Sequence, residues 1–129
     1  MKQTGILLAI SSLPSPWGIG DLGKAAYEWI DSLSEAGVNL WQILPMNPLG
    51  YGNSPYQPYS SFAGDEIYLS LERLQAEGLL GGLPALSENS AARVDYDGVR
   101  KQKEQWLRKA FAAFVPNKEY EEFCRREWL

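Results

Sequence analysis

Histidine is absent from the 129-residue sequence, so neither a Ser-His-Asp nor a Cys-His nucleophile system, nor a His-ligated zinc, can be completed from these residues. Cysteine occurs once, as Cys124, which excludes an intrachain disulfide. Set within Tyr120-Glu-Glu-Phe-Cys-Arg-Arg126, it reads as a half-buried helix residue and not as a reactive thiol. Long apolar runs are missing as well. None reaches the length that spans a bilayer, and the run ending at Ile10 meets Pro14 and Pro16 before a signal-peptide core is complete. No membrane association and a cytoplasmic location are therefore expected. Positive charge is scarce: 12 Lys and Arg against 16 Asp and Glu give a net charge of -4, which disfavours nucleic acid or any polyanion as main partner.

What is present is apolar and aromatic. At 45% hydrophobic and 12% aromatic the chain falls in the globular class, long enough for one ordinary domain or a piece of a larger one. The richest segment runs from Trp41 to Gly64, where a short apolar stretch enters a loop dense in Tyr, Pro, Gly and hydroxyls without any basic residue. Rings offer flat apolar faces, while Asn53, Ser54, Gln57, Ser60 and Ser61 offer neutral donors and acceptors. That combination suits sugars, whose C–H faces stack on aromatics while their hydroxyls form hydrogen bonds.

The first third alternates strand and helix, the mark of an α/β protein. Gly5 to Ile10 is a continuous apolar run of strand length, as in a parallel strand covered on both faces. Asp21 is placed as an N-cap; Leu22, Ala26, Trp29, Ile30, Leu33 and Ala36 then recur at helical spacing, and Gly37 stands where a left-handed stop is wanted. Val38 to Leu44 forms the second strand, so strand, helix and strand make a right-handed βαβ unit with ligand-like loops after the C-terminal end of each strand. Gly18 and Gly20 lack the third glycine of a phosphate-binding loop and read as turn geometry.

Helical patterns follow: Tyr68 to Glu77, closed by Gly78; a polar connector from Ser87 to Ala92; Asp97 to Phe114, an apolar stripe interrupted only by Lys103; and a last helix from about Asn117 with Tyr120, Phe123, Cys124 and Trp128 on one side. Two strands leave sheet edges and helix faces uncovered, so the chain is expected to be an N-terminal piece divided into a βαβ region, 1–64, and a mainly helical inserted subdomain, 65–129.

Gly5-Ile-Leu-Leu8, Ser12-Leu-Pro-Ser-Pro-Trp-Gly-Ile-Gly-Asp-Leu-Gly23, Trp41-Gln-Ile-Leu-Pro45, Gly50-Tyr-Gly-Asn-Ser-Pro-Tyr-Gln57 and Ser61-Phe-Ala-Gly64 resemble the start of the 4-α-glucanotransferases, or amylomaltases. The likeness is dense to about residue 80 and thereafter rests on Arg93-Val-Asp-Tyr96. It implies a (β/α)8 barrel with inserted subdomains, of which this chain is the first βαβ unit plus a helical insertion. It also implies transfer of α-1,4-glucan segments among maltodextrins, maltose and glucose by a retaining mechanism, with one carboxylate as nucleophile and a second as acid/base. No cofactor or metal is implied.

In the family the catalytic carboxylates lie far downstream, so the chain is expected to hold no catalytic residue, to depend on the rest of its own polypeptide and to be inactive alone. For Ser54 and Tyr56 the resemblance implies substrate contact near the scissile bond, and for Tyr51 an accessory glucan site; Gln57 completes the set. Asn53 stands where many relatives carry Asp, and Asp65 where Asn commonly follows Ala-Gly, which makes the local turn at Asp65 a point of departure. Ser54 before Pro55 also suits turn shaping, and Tyr56 also suits a loop anchor. Trp41 fits a core role and Gln42 a buried amide at the strand end. Without the resemblance, the same loop suits a non-catalytic glucan platform, or a Pro/Tyr motif, Ser54 to Tyr59, for a partner's aromatic groove.

Overall fold

The computed structural model describes residues 3–85 and 93–127. Strand β1 (Gly5–Leu7) pairs in parallel with β2 (Leu40–Gln42), with Ile6 opposite Trp41, and helix α1 (Lys24–Glu35) makes the crossover. A parallel pair needs such a crossover, and α1 supplies it over the expected residues. Its end is fixed chemically: Gly37 takes φ +72°, and the Val38 N–H reaches back to the Leu33 carbonyl at 2.9 Å, the left-handed stop that the sequence calls for.

Both strands are shorter than the apolar runs that suggest them. Beyond Leu7 only the Leu8 N–H continues the ladder, to the Gln42 carbonyl, before Ile10 turns into a 3₁₀ segment and sends its side chain into the core. Nor are the strands covered: Leu7 and Leu40 are exposed. Trp41 is half-buried beside the core and its indole N–H donates to the Leu8 carbonyl at 2.9 Å, whereas Gln42 is exposed.

The core lies beyond the C-terminal end of β1 instead. Ile10, Leu13 and Ile19 pack with Ala26 of α1, with Ile67 and Tyr68, and with Val99 of a long helix. A second cluster joins Trp17, Leu71, Leu80 and Ala110.

The segment expected as one helix from Tyr68 to Glu77 is two capped turns. Asp65 caps a 3₁₀ turn, Glu66–Tyr68, by accepting from the Ile67 N–H, and Leu69 returns to extended backbone. Ser70 then caps α2 (Leu71–Ala76) by accepting from the Arg73 N–H. Helix α3 (Tyr96–Ala113) starts one residue before the sequence expectation because Asp95 caps it through the Gly98 N–H. Helix α4 (Lys118–Glu127) follows, with Asn117 accepting from the Tyr120 N–H, and Cys124 is half-buried on it as expected. Tyr120 and Phe123 stay exposed. The Ser87 to Ala92 connector and Trp128 lie outside the described residues.

Two charged residues depart from their sequence roles. Asp21 is not the cap of α1; Gly23 occupies that position without a side-chain bond, and Asp21 is buried two residues earlier. One of its oxygens accepts from the Gly23 N–H at 3.0 Å and the other from Lys103 Nζ at 3.2 Å. Lys103 does not interrupt the stripe of α3: it is 1% exposed, and its ammonium also donates to the carbonyls of Ile67 and Leu69. All three donors are thereby used. Burial pushes Asp21 up and Lys103 down, with their mutual attraction offsetting part of each shift.

Candidate functional site

Beyond β2 the chain runs out on a long excursion between Met46 and Asp65, and ties between its two arms hold it closed. Leu49 and Pro58 form an antiparallel bridge; the Tyr59 N–H donates to the Pro48 carbonyl, the Asn47 amide to the Ala63 carbonyl, and the Asp65 N–H to the Met46 carbonyl at 2.7 Å. Gly50 is required by close approach, because a Cβ there would stand 2.1 Å from the Gln57 carbonyl oxygen.

The tip carries every predicted site residue. Tyr51 opens a tight turn, Tyr51–Asn53, in which Gly52 and Asn53 adopt φ +71° and +54°. Asn tolerates that region well, which accounts for the residue at this position. Ser54 follows in extended backbone, its Oγ accepting from the Tyr56 N–H at 3.3 Å while its carbonyl accepts from the Gln57 N–H. With a lone pair so engaged, the Ser54 hydroxyl proton remains available to a ligand. Tyr51 is 91% exposed and Tyr56 71%, and Gln57, Tyr59 and Phe62 are exposed beside them. The tip thus sets out rings and neutral polar groups on a backbone braced by its own hydrogen bonds.

Beneath the loop lie hollows at the C-terminal ends of the strands. A small cavity of about 70 Å³ is lined by Ala9, Leu44, Leu49 and Pro55 with Ser11 and Tyr96. Ser11 and Tyr96 also line a larger one of about 660 Å³, with Ser12, Ser15 and Arg93. Among the described residues no carboxylate lines either cavity. Tyr68, at the wall of the smaller one, has its phenol pushed up to about 12, first by burial and then by nearby Tyr96 and Asp65.

One buried ion pair beside the loop was not foreseen. Asp65, expected only as a departure in a turn, is buried and accepts from the N–H groups of Ile67 at 3.1 Å and Leu49 at 3.4 Å. Arg100 of α3 grips both its oxygens, Nη1 on Oδ1 at 3.1 Å and Nη2 on Oδ2 at 2.8 Å. Burial alone would raise this carboxyl; Arg100 and the two amides hold it below the usual range instead. The sequence signal was the acid itself, standing where the resemblance has an amide. Its partner lies 35 residues away and no spacing rule would find it. Among the described residues no group of His, Cys, Asp and Glu could hold a metal ion, and no helix is long and apolar enough to cross a membrane.

The profile of the 4-alpha-glucanotransferase family matches residues 8–129. The 4-alpha-glucanotransferase of Synechocystis sp. is 45% identical over 99% of the chain, and that of Aquifex aeolicus 43% identical over all of it. Among solved structures, an amylomaltase from Streptococcus agalactiae in complex with acarbose superimposes with a TM-score of 0.83 at 31% identity over 98% of the chain. In each comparison the chain spans 27% of the relative's length.

Proposed function

The chain belongs to the 4-alpha-glucanotransferase family, and from that premise we propose that it supplies the first part of an enzyme that moves α-1,4-glucan segments to the 4-position of glucose or another glucan. In this reading the β1-α1-β2 unit of residues 1–64 opens a (β/α)8 barrel, residues 65–129 form an inserted helical subdomain, and the remaining strands come from further sequence. A barrel takes about 250 residues, more than this chain contains. A cytoplasmic setting belongs to the same proposal.

The observation that carries the proposal is the braced tip at Tyr51–Gln57, which lies at the end of the α/β unit where such folds bind ligands. Tyr56 stacks its ring on a glucose near the reacting bond, Ser54 donates its free hydroxyl proton to a sugar oxygen, and Gln57 offers an uncharged donor and acceptor to ring hydroxyls. Tyr51, the more exposed ring, binds an outer glucan residue.

The chemistry itself requires two carboxyl groups about 5 Å apart, one to form a covalent glucosyl intermediate and one to protonate the leaving oxygen and then deprotonate the acceptor. Asp21 and Asp65 do not serve, since each is committed to a cation, Asp21 also to the Gly23 N–H and Asp65 to those of Leu49 and Ile67. The pair is assigned to residues beyond Leu129, and the present chain holds and orients the glucan.

Maltotriose tests the assignment. The full-length polypeptide should convert it to glucose and longer maltodextrins, whereas residues 1–129 alone should leave it unchanged. Hydrolysis without longer products from the full-length protein would contradict the transferase reading, and turnover by residues 1–129 would contradict the placement of the carboxylates.

A further inference from the structure

We propose that Arg100 is a positioning residue for the glucan-facing loop, acting through Asp65. The inference rests on the reading that Tyr56 contacts glucan, and it adds a residue of α3 that lies outside the tip.

Asp65 serves both arms of the loop at once. Its N–H holds the outgoing arm at the Met46 carbonyl, and its Oδ2 accepts from the Leu49 N–H, one residue before Gly50 begins the tip. Oδ1 meanwhile caps the 3₁₀ turn that carries the return arm into the core. These two oxygens point at different amides, so the carboxylate does both jobs only while its plane is fixed. Rotation about the bond to the carboxyl group would break both contacts. The Arg100 guanidinium fixes that plane because a planar fork meets both oxygens, which a compact ammonium cannot do.

The fork is itself held from both sides. Asp95 caps α3 five residues before Arg100, and three residues after it Lys103 is buried against Asp21 and two carbonyls. Glu66 lies 3.6 Å from the same guanidinium but is largely exposed, and competes weakly for it. The position of Leu49, and with it the bridge to Pro58 and the entry of the tip, is thus referred to the N-terminal half of α3.

The test is a double-mutant cycle in the full-length enzyme with maltotriose as substrate, combining Arg100→Lys with Tyr56→Ala and recording kcat/KM and Tm for each variant. Arg100→Lys keeps the charge and loses the fork; it should lower kcat/KM roughly three- to tenfold with little change in Tm. In the Tyr56→Ala background the same change should cost less than about twofold, because the ring whose placement it controls is gone. Asp65→Asn, which turns one acceptor oxygen into a donor, should reproduce the kinetic loss of Arg100→Lys, and with the ion pair removed it should lower stability as well. Normal kinetics in Arg100→Lys beside an impaired Tyr56→Ala, or full additivity of the two, would overturn this inference alone. Normal kinetics in Tyr56→Ala would overturn the glucan-contact reading and this inference with it. Failure of both Arg100→Lys and Asp65→Asn to fold would also overturn it, since the pair would then be a lock of the fold and not of the loop.

Discussion

Lys103 shows how a single side chain changes meaning between sequence and structure. By periodicity it breaks an apolar stripe; in the molecule its ammonium joins α3 to Asp21 and to the carbonyls of Ile67 and Leu69. Removing one partner of a buried ion pair leaves the other uncompensated, so Lys103→Met should destabilise the protein by about 3–5 kcal/mol. Adding Asp21→Asn should recover part of that loss, because an amide removes the stranded charge while its oxygen still accepts from the Gly23 N–H. Urea denaturation of the single and double variants checks both expectations; equal losses would mean that the stranded charge is not the cause. Ser54 makes a different kind of prediction. Its Oγ touches only the neighbouring Tyr56 N–H among the described residues, so Ser54→Ala should leave Tm nearly unchanged and act on kcat/KM for maltotriose.

At the level of elements, the 3₁₀ turn at Glu66–Tyr68 and helix α3 act together through Asp65 and Arg100. Asp65 is held below its ordinary value of 3.8, so the folded state binds a proton there less readily than the unfolded chain. Its contribution to stability is therefore complete above the unfolded value and is lost as pH falls through the folded one. Comparison of the parent with Asp65→Asn by urea denaturation between pH 7 and 3 should show a gap that is widest near neutrality and shrinks below about pH 4. A constant gap would mean that the ion pair contributes nothing. Asp21 is shifted the other way, and Asp65→Asn leaves it in both proteins, so it cancels from the difference. These elements also mark where the sequence stopped being legible. The stop of α1 at Gly37, the course of α3 and the aromatic tip follow from local chemistry that a reader can follow along the chain. Asp21, Asp65 and Lys103 resisted because their partners lie 82 and 35 residues away, and a capping aspartate and an ion-pairing one look the same until the fold brings the cation near.

On the scale of the whole molecule, the α/β unit was readable from alternating apolar runs and turn residues, but strand length and burial were not. Apolar runs predict strands covered on both faces, and here Leu7 and Leu40 are exposed while the buried residues gather around Ile10, Ile67 and Val99. The core follows the loops after β1 and the helix α3, so the same packing that stabilises the unit also fixes the base of the tip. Tyr56 is the residue on which this arrangement converges, and one paired measurement on the full-length enzyme decides its role: kcat/KM for maltotriose and Tm on the same preparation of Tyr56→Ala. Loss of a stacked ring worth about 1–3 kcal/mol should lower kcat/KM roughly five- to 150-fold, partly in kcat, with Tm nearly unchanged and Tyr56→Phe much milder. Normal kcat/KM together with a large fall in Tm would show that Tyr56 anchors the loop and does not hold the glucan.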